Sequence, residues 1–263
     1  MLFAMSDIHG CFDEFINRIH DLNDLETVKA GKDKLILLGD YIDRGPESYK
    51  VLQKIYDIQQ AYGPNKIIVL RGNHEEWFLE FLEKKNRDWI GEDENLNTSR
   101  TFLNKEQMTE LKELAVKRRA GKVYEFIRQC IKDNHKELMA WMRQLPYYYT
   151  TDTQIFVHAG IDEEAGDWWN VGTPDYYFVS KYPPTTGAFY MDIIAGHTAT
   201  SSIVNERGFH DVWHDRWSHY YIDGGVERSG VIPVLVYDEK EMKYYSLKGD
   251  LKNGRLDKIR DRY

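Results

Sequence analysis

Short apolar runs punctuate the chain, each stopped by a polar or glycine-containing segment. They are Leu2–Ser6, Lys34–Leu38, Lys66–Leu70, Gln154–Val157, Asp192–Ala195, Tyr220–Ile222 and Val231–Tyr237, with Met242–Leu247 a further candidate. Runs of this length, rich in Ile, Leu and Val, predict buried strands. Between the first three, the apolar spacing turns helical. Phe12, Phe15, Ile16, Ile19 and Leu22 share one face, as do Val51, Leu52, Ile55 and Tyr56. Strand and helix in alternation predict βαβ units at the start of the chain. The later strands follow one another more closely, so the second half reads as mostly β.

Residues 77–150 break this rhythm. They are rich in Glu, Lys, Arg, Leu and Met and predict about three helices, near 77–88, 104–118 and 121–145, the last ended by Pro146. The polar stretch Gly91–Arg100 reads as a mobile loop. The basic run Lys117, Arg118 and Arg119 reads as a solvated helix face. The tail from Lys248 is polar and compatible with order or disorder.

The chain has 263 residues, of which 42% are hydrophobic, enough for a sizeable core. Its 18 Tyr, 11 Phe and 7 Trp argue against disorder. The net charge is −8, and no long basic block is present, so general nucleic-acid binding is not expected. Two cysteines far apart, Cys11 and Cys130, exclude a disulfide framework and fit a reducing compartment. No apolar run approaches the roughly 18 residues of a membrane span, and the first residues lack the features of a signal peptide. The expectation is a cytoplasmic protein. Nothing in the sequence sets an oligomeric state.

The chemistry lies directly after the strands. The first is followed by Asp7-Ile8-His9-Gly10, the second by Gly39-Asp40-Tyr41-Ile42-Asp43-Arg44-Gly45, and the third by Arg71-Gly72-Asn73-His74-Glu75. The fourth runs into His158-Ala159-Gly160 and the fifth into Gly196-His197-Thr198. Ligands of α/β sheets bind beyond the carboxyl ends of the strands. Carboxylates, imidazoles and an amide gathered at one rim, with an arginine, read as a metal site with a phosphate clamp. This donor mixture suits borderline divalent ions. One carboxylate can bridge two ions about 3.5–4 Å apart, which then hold both oxygens of an in-line displacement. Asp40, on the central strand, is the natural bridge. Two divalent ions outweigh Asp7 and Asp40 and leave a positive centre, so even an acidic chain can draw in phosphate.

In order and spacing these motifs closely resemble the calcineurin-like metallophosphoesterases, specifically the phosphoprotein phosphatase superfamily, from Asp7 to about Asp223. The resemblance implies an α/β fold of two mixed sheets stacked between helical layers. It implies one domain over 1–263, with a bacterial or phage-type helical insertion at about 77–150. It assigns Asp7, His9 and Asp40 to one metal, and Asp40, Asn73, His158 and His197 to the other. Arg44 would bind phosphate, and His74, oriented by Asp43, would protonate the leaving group after direct attack by a metal-bridged hydroxide. The metals would be two divalent ions, manganese foremost, with iron, zinc, nickel or magnesium as alternatives. The substrate would be a phosphoprotein or a small phosphoester.

Asp43-Arg44 and Glu75 lean toward the protein phosphatases; the symmetrical dinucleoside tetraphosphatases are the alternative, and a non-catalytic metal-binding scaffold stands third. One departure is plain. Many members carry a second phosphate-binding arginine between the two late histidines, where this chain has a single basic residue, Lys181. Either Lys181 substitutes as a point charge, or another segment supplies the cation, or phosphate is held more weakly.

Other residues carry blander readings. His20, His135, His210, His214 and His219 read as surface or packing residues. Cys11 is either redox-sensitive beside a metal or a packing residue at a helix start. Trp168, Trp169, Tyr176, Tyr177 and Phe178 either wall a substrate groove or pack beneath a long loop. Asp223-Gly224-Gly225 either supports a ligand or makes an ordinary turn.

Overall fold

The structure, a computed structural model, describes residues 1–83, 89–116 and 120–259. The basic run at 117–119 lies outside the described residues. Strands β1 (Leu2–Met5), β2 (Lys34–Leu37), β3 (Ile67–Val69), β4 (Tyr148–Thr150), β5 (Gln154–Val157), β6 (Asp192–Ala195), β7 (Trp213–His214), β8 (His219–Tyr221), β9 (Leu235–Asp238), β10 (Lys243–Lys248) and β11 (Arg255–Lys258) form two sheets. The first runs β11-β10-β9-β1-β2-β3 and the second β4-β5-β6-β8-β7. Both are mixed: β1, β2 and β3 are parallel while β9 to β11 run antiparallel, and β5, β6 and β8 are parallel between antiparallel β4 and β7.

The period of two along each strand builds the layers. Leu2, Ala4, Ile36, Leu38, Ile68 and Leu70 point from the first sheet into one cluster with Phe156, Ile194, Tyr220 and Ile222, so the two sheets pack face to face. The alternate residues Phe3, Met5, Leu35, Leu37, Ile67 and Val69 face the other way, onto helices. Those helices include Phe12–Asp21 and Ser48–Tyr62, which connect the parallel strands. Leu111, Ile127, Ile131, Met139 and Met142 join the same cluster, so the helices between β3 and β4 share the first sheet's core. On the far face of the second sheet, Ile155, Val157 and Ile193 are covered by Trp169, Phe178 and Val179.

The strand runs of the sequence recur with shifts of a few residues at their ends, greatest at Val231–Tyr237. β4, β7 and β11 are additional. β7 has only two residues, and β11, an exposed and charged edge strand, has no apolar run to announce it. The third helical segment is broken into Ala120–Asn134 and Lys136–Met142. The stretch 91–100 departs from the mobile loop expected there. It is wound into short helical turns, with Asp93, Thr98 and Ser99 buried. The Asp93 carboxylate accepts the Thr98 and Ser99 amides at 2.8 and 3.0 Å and the Ser99 hydroxyl, so polar residues here satisfy one another. Among the described residues no helix is long and apolar enough to cross a membrane.

Candidate metal centre

The carboxyl ends of β1, β2, β3, β5 and β6 meet along one rim. Their turns are sharp: Asp7, His9, Asp40, Asp43, Arg44 and His197 all hold left-handed backbone, with φ between 44° and 69°. Such conformations cost about 1–3 kcal/mol each for side chains other than glycine and gather where geometry is over-determined by the surroundings. Here the restraint is visible. The Ile8 and His9 amides donate to the Asp40 carbonyl at 2.8 and 2.9 Å, and the Gly45 amide donates to the His9 carbonyl at 2.8 Å. The backbone must also come close. A Cβ on Gly72 would sit 2.2 Å from Asp40 Oδ1, and one on Gly196 would sit 2.2 Å from Asp7 Oδ2.

Asp40 is the hub. Its Oδ2 lies 3.4 Å from His158 Nε2, 3.7 Å from His9 Nε2 and 3.8 Å from His74 Nε2. Ligand atoms of His9, Asp40 and His74 fall within 4.8 Å of one another, as do those of Asp40, His158 and His197. Asp7 Oδ1 is 3.8 Å from His9 Nε2. Asn73 Oδ1 sits between His158 Nε2 at 2.9 Å and His197 Nδ1 at 3.0 Å. All six residues read from the sequence as ligands therefore converge, in two groups that share Asp40.

These residues fit metal ions. His9 Nδ1 faces the Ile42 carbonyl at 3.0 Å, so it carries the proton and leaves Nε2 as the lone-pair atom. That Nε2 is buried and has no hydrogen-bond partner, an arrangement a cation among the three groups would satisfy. Burial holds His9 well below the ordinary imidazole value, and burial with the neighbouring His158 brings His197 down to about 4, so both are neutral donors. Burial also raises Asp7. Asp40 is held low against its burial by His158 and His74; burial opposes charge on His158 too, but Asp40 draws that imidazole up to about 9.

His74 stands apart by its second nitrogen. Nδ1 lies 2.7 Å from Asp43 Oδ2, while Nε2 faces Asp40 and lies 3.4 Å from an Arg44 nitrogen. Burial works against its charge, but Asp40 and the Asp43 hydrogen bond lift it to about 9. A carboxylate on one ring nitrogen fixes the tautomer and favours imidazolium, the form able to give a proton. Arg44, partly exposed, pairs with Glu227 Oε1 at 3.5 Å.

Three residues essential to this geometry were assigned no part in it from the sequence. Glu75 is fully buried, and its carboxylate accepts the amides of Asp40 at 2.9 Å, Tyr41 at 2.8 Å and Gly72 at 3.0 Å. It ties the β2 and β3 turns together. Burial, then Asp40, pushes it up to about 7. Trp89 and Thr98 both donate to Asp43. The signal for Glu75 was its place in the third motif; nothing local marks Trp89 or Thr98.

Lys181 is used where it stands. It is buried, and its ammonium donates to the Ile161 carbonyl at 2.6 Å and Glu163 at 2.8 Å. To meet a phosphate it would have to release both. Glu163 also faces His219 Nε2 at 3.3 Å, whose Nδ1 meets Asp215 at 2.9 Å, so His219 is a packing residue within a charged network. Burial pushes the Cys11 thiol up to about 12, and its side chain joins the first core cluster, in favour of the packing reading. The aromatic group divides: Trp169 and Phe178 are core, while Trp168 and Tyr176 are exposed. Asp223 is buried and accepts the Gly225 amide at 2.7 Å, and burial beside Asp7 raises it well above the usual carboxylate range. It serves the turn and borders the ligands at once.

The family model for calcineurin-like phosphoesterases matches residues 2–201. The chain belongs to this family. Among curated relatives, a symmetrical bis(5'-nucleosyl)-tetraphosphatase of Wigglesworthia glossinidia brevipalpis is 38% identical over 73 residues, 28% of this chain and 24% of that protein. An asymmetrical one, PrpE of Anoxybacillus flavithermus, is 34% identical over 87 residues, 31% of this chain and 34% of that protein. The matched segment thus spans between about a quarter and a third of these relatives' length. The fold is also that of a cold-active protein-tyrosine phosphatase from a psychrophilic Shewanella species, with TM-score 0.60 and 14% identity, covering 98% of this chain and 80% of the other.

Proposed function

We propose that the protein is a metal-dependent hydrolase of phosphate monoesters, acting on phosphoserine and phosphothreonine in proteins. The observation that carries this reading is the His74–Asp43 pair, 2.7 Å apart, set beside Asp40 and Arg44. A serine alkoxide is a poor leaving group and needs a proton as the P–O bond breaks. A nucleotide phosphate leaving from an anhydride needs one far less. Asp43 holds the proton on Nδ1, so the proton on Nε2 is the one offered to the leaving oxygen. Arg44 would exchange Glu227 for a phosphate oxygen. Two divalent ions, held by Asp7, His9 and Asp40 and by Asp40, Asn73, His158 and His197, would polarise the phosphoryl group and acidify a bound water. The mixed oxygen and nitrogen donors suit manganese, with iron, zinc, nickel or magnesium as alternatives. Two buried free cysteines agree with a cytoplasmic setting.

The surface around Arg44 supports a peptide substrate. A cavity of about 700 Å³ on one side is lined by Glu92, Glu94, Arg100 and Arg228, with no aromatic ring among the described residues of its wall. A second, about 440 Å³, borders Arg44 with Phe12, Asp13, Glu14 and Glu47. Among the described residues that line the two cavities, carboxylates outnumber cations, which favours a peptide with basic flanks over a polyphosphate chain.

The second reading is hydrolysis of dinucleoside polyphosphates, favoured by the local identity to the tetraphosphatases. A silent metal-binding scaffold ranks third, because His74, Asp43, Arg44 and the ligand set are all present. Rates on a phosphoserine peptide and on diadenosine tetraphosphate, measured side by side with manganese, decide between them. Faster turnover of the peptide is expected; a clear preference for the tetraphosphate would overturn the reading.

A further inference from the structure

Asp43 is completely buried, yet it is not left to His74 alone. The Thr98 hydroxyl donates to its Oδ1 at 2.6 Å. The Trp89 indole N–H donates to Oδ2 at 2.9 Å and lies 3.2 Å from Oδ1. His74 Nδ1 takes the remaining direction on Oδ2. Both donors come from the segment that follows the third motif, and each is fixed from behind. Trp89 has no exposed surface, with its ring centroid 4.8 Å from those of Phe78 and Phe81 on the Asn73–Glu83 helix. Thr98 is equally buried, with its amide on Asp93 and its hydroxyl 3.3 Å from Ser48 Oγ. Ser48 Oγ in turn accepts the Asp43 amide at 3.0 Å.

A carboxylate bonded only to an imidazole can rotate about its Cβ–Cγ bond and carry the imidazole with it. With one donor on Oδ1 and another on Oδ2, a single orientation remains. The line from Asp43 through His74 Nδ1 to Nε2 then points at Asp40 and Arg44. We propose that Trp89 and Thr98 are positioning residues of the reaction: through Asp43 they hold the His74 ring where its Nε2 meets the leaving oxygen. The segment 89–99 is thereby part of the proton-delivery apparatus. This rests on His74 being the proton donor, as proposed above.

The test compares Thr98→Val, Thr98→Ser and Trp89→Phe with wild type on a phosphoserine peptide and on 4-nitrophenyl phosphate, with metal content measured on the same samples. Nitrophenolate leaves without a proton, so a fault in positioning slows the peptide alone. General acid catalysis contributes about 10²–10⁴-fold, and loss of one positioning donor should remove about tenfold of it. Thr98→Val should therefore lower kcat on the peptide about tenfold, with KM, metal content and kcat on nitrophenyl phosphate within about twofold of wild type. Thr98→Ser, which keeps the hydroxyl, should restore the peptide rate. Should the valine variant not fold, Trp89→Phe keeps the ring among its aromatic neighbours and removes only the donor. Equal losses on both substrates, loss of metal, or an unchanged ratio of rates would overturn the assignment. His74→Asn and Asp43→Asn separate the proton-donor role from the positioning role. If they slow the peptide selectively while the Thr98 and Trp89 variants do not, only the positioning role is wrong. If they do not, His74 is not the proton donor and both claims fall.

Discussion

Asp40 Oδ2 lies 3.4 Å from His158 Nε2, and the same oxygen is 3.7 Å from His9 Nε2, so one carboxylate oxygen borders both candidate groups of metal ligands. Asp40→Asn should therefore reduce binding at both groups, whereas His9→Asn should empty mainly one. Elemental analysis of the purified variants checks this. Two ions per chain retained by Asp40→Asn would remove the bridge from the account.

Glu75 holds the backbone on which Asp40 sits. Glu75→Ala would leave the amides of Asp40, Tyr41 and Gly72 buried without an acceptor. Each unsatisfied donor costs about 1–3 kcal/mol, so a loss of about 3 kcal/mol or more in urea denaturation is expected, together with weaker metal binding. A variant of wild-type stability and metal content would show that the turns hold their shape without it.

The network of Glu163, His219 and Asp215 sets a pH dependence of stability. Burial opposes charge on His219, but hydrogen bonds to Asp215 and Glu163 raise it to about 9 in the folded protein. A raised pKa gives stability that is complete below the unfolded value of about 6.5 and fades as pH rises through about 9. Burial likewise opposes charge on Glu163 and Asp215, but bonds from His219 and other donors bring both to about 2, so their contribution fades as pH falls toward 2. These shifts arise from the same contacts and describe one contribution, about 3 kcal/mol at most. The stability gap between wild type and His219→Gln should be widest near pH 6 and close by pH 10. A gap that stays constant across this range would refute the assignment.

Lys181 offers a sharper choice. A phosphate contact would make Lys181→Met raise the inhibition constant for vanadate. With its ammonium on Ile161 and Glu163, the expected result is an unchanged constant and a stability loss of about 2–4 kcal/mol, the cost of leaving Glu163 short of a partner. A raised constant at unchanged stability would restore it to the phosphate site.

The sequence was most informative where the strand period met chemistry. Each apolar run ended at a polar motif, and parallel order alone puts Asp7, Asp40 and Asn73 on one rim. His158 and His197 follow by the same rule from the second sheet. Partners distant along the chain were not legible. Glu75 reads as part of the third motif, but its work there is invisible until its amide partners, 33 to 35 residues earlier in the β2 turn, are seen. Trp89 drew no reading of its own and Thr98 read as loop, because their target, Asp43, is about fifty residues away. The stretch 91–100 looked like a loop because its composition is polar, but Asp93 pairs with its own neighbours instead of water. Lys181 is one of three alternatives for the second phosphate contact, and its sequence neighbourhood holds no sign of Glu163 folding back onto it.

The central claim is that two ions in the Asp40 centre make phosphate-ester hydrolysis possible. The direct measurement is the rate of phosphoserine-peptide hydrolysis as metal-free protein is titrated with manganese, with bound metal counted at each point. No turnover without metal, and a rate that saturates only as the second ion binds, are predicted. Full activity in metal-free protein, or saturation at one ion per chain, would contradict the account.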